Sequence, residues 1–120
     1  MLFKKIEEII AWQESINLVT TIYQMINKNR KFSNDFGLKN QMQRSAVSIP
    51  SNIAEGFEKG TKPEFIRSLF IAKGSCGELR TQAYIALKLE YLCGNDYIII
   101  DTKCRKISGM IMNLIKSLKR

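Results

Sequence analysis

The stretch RSAVSIPSNIAEGFEKGTK, residues 44–62, repeats its apolar positions at helical spacing. It also places a proline in mid-pattern and carries no charge from Ser45 to Ala54. A helix with one face in water normally charges that face, so an uncharged one is expected to be covered on more than one side. Leu38, Met42, Ile49, Ile53 and Phe57 stay in phase across Pro50. That phase predicts one helix running through the proline, kinked because proline lacks a donor and crowds the carbonyl of Ala46. Gly60 suits a left-handed cap, and Thr61 with Glu64 makes a capping box that places Pro63 in the first turn of the next helix.

Working outward, Ile9, Trp12, Ile16, Val19, Tyr23 and Ile26 predict a preceding helix with its seam in heptad register. It fades at NKNRKFSND, where Ser33 or Asn34 can cap the next helix and Asp35 lies near its positive end. Downstream, Phe65, Leu69, Ala72, Cys76, Leu79, Ala83 and Leu87 point inward from a helix spanning about residues 63–91. After the turn CGND, a fourth helix shows Ile100, Cys104, Ile107, Ile111, Leu114 and Leu118, with YIII (97–100) as its buried start. Four such helices on short loops predict an all-α fold: a single-domain, up-down-up-down four-helix bundle over residues 1–120.

Composition narrows the chemistry. There is no histidine, which removes the commonest general base and the Glu-x-x-His bundle metal site. Cys76, Cys93 and Cys104 lack metal-ligand spacing and are expected to be reduced structural thiols. No apolar run approaches the ~20 residues that span a bilayer, and MLFKKIEEII lacks the apolar core of a signal peptide. A cytoplasmic protein with no membrane, metal or cofactor partner is the expectation. KGSCGE (73–78) lies inside a helical pattern and so is not a phosphate-binding loop.

Gln41, Arg44, Ser48, Asn52 and Glu55 form a polar stripe on the second helix, with Glu78 on the third. Glu55 and Glu78 are the available acid–base pair, and Arg44 completes what an enzyme in a bundle pocket would use. No nucleophile–base pair accompanies them, so no catalytic residue is assigned and the stripe is read as structural hydrogen bonding.

The formal charge of +8 points to a polyanionic partner, or else serves solubility. From Thr102 onward six basic residues and no acid follow: Lys103, Arg105, Lys106, Lys116, Lys119 and Arg120. Lys28, Arg30, Lys31 and Lys39 are expected at the same end of the bundle as Lys103 to Lys106. Such a one-signed surface has the form of phosphate contacts. Little exposed aromatic surface accompanies these bases, so stacking on single strands is not evident. Gly74 and Gly77, and the off-seam Ile71, Ile85 and Leu89, add an interface signal and predict a homo-oligomer.

FGLKNQMQRSAVSIPSNIAEGFEKG and EFIRSLFIAKGSCGELRTQAYIALKLEYL resemble the four-helix-bundle proteins encoded within intervening sequences of bacterial 23S ribosomal RNA genes. The likeness is most specific at Gln41-x-x-Arg44, Ser48-Ile49, Asn52 to Gly56 and Gly74-Ser75-x-x-Glu78-Leu79. The resemblance implies a pentameric bundle related to the accessory variability determinant of diversity-generating retroelements, which binds nucleic acid and a reverse transcriptase. It implies no catalytic residues. The expected function is a non-enzymatic oligomeric accessory protein that binds RNA or DNA backbone. The alternative is a protein–protein adaptor whose charge is mainly solubilising.

Overall fold

The computed structural model, which describes residues 2–120, carries Pro50 inside one unbroken helix, Phe36–Lys59. This is α3 of five. It follows α1 (Ile10–Asn27) and a single short turn of helix, α2 (Arg30–Asn34), and precedes α4 (Lys62–Lys88) and α5 (Gly94–Leu118). A 3-10 turn, Ile6–Glu8, leads into α1. The four long helices run up and down and pack as a ring of neighbours, α1 on α3, α3 on α4, α4 on α5 and α5 on α1. The described residues contain no strand.

The caps of α4 follow the local chemistry. Gly60 adopts φ 79°, the left-handed region that glycine enters without Cβ strain. The Thr61 hydroxyl accepts from the Glu64 N–H at 3.4 Å. α4 stops at Lys88, short of Tyr91, because Glu90 turns left-handed and the Tyr91 N–H donates back to the Ala86 carbonyl at 2.9 Å.

Three expectations are corrected. First, α1 is rotated: its buried line is Ala11, Ser15, Leu18, Ile22, Met25 and Ile26, so that of the expected seam Ile9 and Ile26 are buried, Ile16 and Tyr23 are exposed, and Trp12 and Val19 are half-buried. Small residues win the core line because they let helices approach, and Ser15 is tolerated there because its hydroxyl donates to the Trp12 carbonyl at 2.8 Å. Second, the polar linker holds a core residue. Phe32 is fully buried on α2 and stacks on Tyr91 at 5.3 Å. Asn29 caps α2, and Asp35, not Ser33 or Asn34, caps α3 through the Leu38 N–H at 3.1 Å. The other Asp35 oxygen accepts from the Tyr91 hydroxyl at 2.9 Å, which ties this cap to the α4–α5 loop. Third, YIII is helical, but only Ile100 is buried; Ile98 and Ile99 face solvent.

The glycine that brings two helices together is Gly56. A Cβ there would stand 2.6 Å from the Ser68 Cβ and 3.2 Å from the Phe65 Cα, so α3 and α4 meet nearly backbone to backbone. A Cβ at Gly74 or Gly77 would meet nothing within 4 Å.

Candidate nucleic-acid interface

The polar stripe of α3 lies along the α3/α4 seam and divides by depth. Ser48 and Asn52 are half-buried: the Ser48 and Ser75 hydroxyls share a 2.9 Å hydrogen bond, and the Asn52 amide donates to Ser48 O and Oγ at 2.8 and 2.9 Å. Gln41, Arg44, Glu55 and Glu78 are exposed. Glu55 pairs with Lys59 at 3.4 Å rather than accepting from Arg44, Gln41 or Asn52, so the expected hydrogen bonds to this carboxylate do not form. Beside the stripe lies an open groove of about 590 Å³ lined by Tyr23, Asn40, Gln43, Arg44, Val47 and Ser48, without a carboxylate.

The basic residues separate into three groups. At the end where α1 stops, Lys28 pairs with Asp96 at 3.1 Å, Arg30 and Lys31 project from α2, and the Lys39 ammonium sits 5.0 Å from the Phe36 ring centroid. Lys103, Arg105 and Lys106 do not join that end. Lys106 pairs with Glu14 of α1 at 3.3 Å, about 15 Å along α5 from Asp96 at the helical rise. The reason is register: the antiparallel partner of Lys106 is the first half of α1, not its last turn. Lys116, Lys119 and Arg120 occupy the far end. Arg30, Lys31, Lys103, Lys116, Lys119 and Arg120 have no ion-pair partner among the described residues.

Between α4 and α5 the charges are organised by one acid. Asp101 accepts from Arg80 Nε through Oδ1 and from Arg105 Nε through Oδ2, both at 2.8 Å. The Arg80 hydrogen bond, helped by Arg105 and opposed by partial burial, holds the Asp101 carboxyl below the usual aspartate range. The same bond makes the Arg80 guanidinium still harder to deprotonate. Beneath them burial pushes the Cys76 thiol up to about 11 and Cys104 to about 12, so neither adds negative charge at neutral pH. Arg80 was not among the sequence candidates. Its link to Asp101 spans 21 residues, and no local spacing announces it.

Two apolar faces stand out on the surface. Trp12, Ile16, Val19, Val47, Pro50 and Ala54 line a groove of about 260 Å³ between α1 and α3. On α4, Ile71, Ile85 and Leu89 stand exposed as a ridge, as their off-seam phase predicts. Among the described residues no helix is long and apolar enough to cross a membrane, and no group of His, Cys, Asp or Glu could hold a metal ion.

Among known proteins, the family model described as 23S rRNA-intervening sequence protein matches residues 7–113. The fold is similar to the crystal structure of a protein of unknown function from the S23 ribosomal protein family of Bacteroides thetaiotaomicron. That likeness has a TM-score of 0.82 at 22% identity and covers 89% of this chain and 96% of the other. No curated protein matches.

Proposed function

We propose that this chain, which belongs to the 23S rRNA-intervening sequence protein family, is a non-enzymatic accessory protein that assembles with copies of itself and binds the backbone of RNA or DNA. The observation that carries the reading is the one-signed charge of α5. Lys103, Lys116, Lys119 and Arg120 lie on or next to a helix with no acid after Asp101, and no ion pair within the chain neutralises them. Unpaired surface cations of one sign gain most from phosphate, because each contact releases condensed counterions. The exposure of Glu55 and Glu78 and the open, carboxylate-free groove beside Arg44 favour a binding role over a catalytic one.

Self-assembly draws support from the two apolar faces. The α1/α3 groove and the α4 ridge lie on different sides of the bundle, so copies would join groove to ridge, head to tail. Such contacts close into rings when the rotation allows. The resemblance to the accessory variability determinant of retroelements supports a ring of five copies and a reverse transcriptase as the protein partner.

The test is a salt titration of binding to one RNA and one DNA duplex, for wild type and for Lys116→Glu, Lys119→Glu and Arg120→Glu combined. The variant is expected to lose most binding while melting as wild type does. Each lost phosphate contact should flatten the log-affinity against log-salt slope by about 0.9 on duplex DNA. An unchanged slope in a folded variant would place the adaptor role first.

A further inference from the structure

We infer that the groove between α4 and α5 is a binding site for single-stranded nucleic acid, with phosphates held by Arg80, Arg105 and Lys73 and bases stacked on Tyr84 and Phe70. This rests on the nucleic-acid reading above and assigns it a place and a ligand form.

Two adjoining hollows share Gly77 and Arg80. One, about 280 Å³, adds Thr81, Tyr84, Tyr97 and Asp101; the other, about 230 Å³, adds Lys73, Cys76, Arg105 and Ser108. Against three cations the groove sets one carboxylate, Asp101. Because Asp101 takes only the Nε proton of each arginine, four guanidinium N–H donors on Arg80 and four on Arg105 are left by that bond. Asp101 thus orients two planar forks beforehand, which lowers the ordering cost of gripping a phosphate. The groove floor stays open because Gly77 presents no side chain and a Cβ there would have nothing within 4 Å.

Aromatic rings flank the charges. Tyr84 is 48% exposed and is braced by Tyr97 at 6.0 Å with the planes 64° apart. Phe70, 44% exposed, lies about two turns beyond Gly77 toward the start of α4. Each ring carries a lysine ammonium: Lys88 lies 5.3 Å from the Tyr84 centroid and Lys119 lies 5.4 Å from that of Phe70. A base can displace either ammonium from its ring and leave it to meet the adjoining phosphate. Rings alternating with cations along one groove match a strand whose bases are unpaired, whereas the bases of a duplex are already stacked on each other. The expectation of little aromatic surface beside the bases is revised here: Phe70 meets Lys119 across the α4/α5 register, and Tyr84 lines the same hollow as Arg80.

The experiment measures anisotropy of labelled oligo(dT), oligo(U) and a mixed-sequence DNA duplex with the full chain, and melting curves for every variant. Wild type should prefer the single strands. Tyr84→Ala should lose about tenfold on them with duplex binding unchanged, and Tyr84→Phe should restore it. Gly77→Leu should fill the floor and weaken single-strand binding while the protein stays folded. If Tyr84→Ala and Gly77→Leu bind single strands like wild type, this inference is overturned and backbone binding elsewhere stands. Equal affinity for a poly-glutamate peptide would also overturn it, since charge alone would then suffice. Wild type that binds none of the nucleic acids removes the functional reading and this site with it.

Discussion

Helix α4 has two flanks built on opposite rules. Toward α3 it closes: Gly56 sits against Ser68 and the Phe65 backbone, and Ser48 bonds Ser75. Toward α5 it opens: Gly77 faces empty space, and the long side chain of Arg80 reaches Asp101 of α5, which Arg105 pairs with from the same helix. Both flanks use glycine, and it does different work on each. On one side the missing Cβ is occupied by a neighbour, and on the other it leaves room for something the chain itself does not supply. Close packing excludes water and ligand alike, while a propped groove keeps polar groups available.

The largest expected effect comes from the outer ridge between these flanks. Ile85→Lys should convert the proposed assembly to monomer in native mass spectrometry at micromolar concentration, with far-UV circular dichroism unchanged, because Ile85 is exposed and lies outside the buried core of one chain. A wild type that is itself monomeric would remove the assembly from the proposal.

Next in size is the closed flank. Gly56→Ala forces a methyl into Ser68 and the Phe65 backbone, and even after the gain in helix propensity it should cost about 2 kcal/mol in urea unfolding. Cutting the clasp on the open flank should cost less. Asp101→Asn is expected to lose about 1 kcal/mol at neutral pH, since the ion pairs are only partly screened from solvent. The sign of its pH dependence follows from the lowered carboxyl. The contribution of Asp101 is full above its unfolded pKa and fades as pH falls through the depressed folded value. Wild type and Asp101→Asn should therefore converge in melting temperature only in acid, below the ordinary aspartate range.

The smallest effect has the opposite sign to its counterpart. Gly77→Ala should raise stability by up to about 1 kcal/mol, because the methyl meets nothing and the helix gains propensity. If Gly56→Ala and Gly77→Ala shift stability in the same direction, the distinction between closed and open flanks is lost.

Interactions within one or two turns were legible from residue order alone. The phase of Ile49 and Ile53 across Pro50, the left-handed Gly60 and the Thr61 cap all depend on neighbours a few positions away, and all appear as read. The exposure of Ile71, Ile85 and Leu89 follows equally from helical period. The rotation of α1, the burial of Phe32 and the role of Gly56 were not legible in this way. α1 has two stripes of comparable apolarity, and only the approach of α3 and α5 selects the one with small residues. Phe32 lies in a polar run whose local pattern says loop, and its burial depends on Tyr91 arriving from the far side of the bundle. The α4/α5 groove is the plainest case. Arg80, Asp101, Tyr84 and Tyr97 are unremarkable where they stand in the chain. Residue order determines which helices form and which faces are apolar, through short-range backbone and side-chain physics. Which faces meet, and therefore which cations and rings share a groove, is decided only when antiparallel packing sets the register between helices distant in sequence.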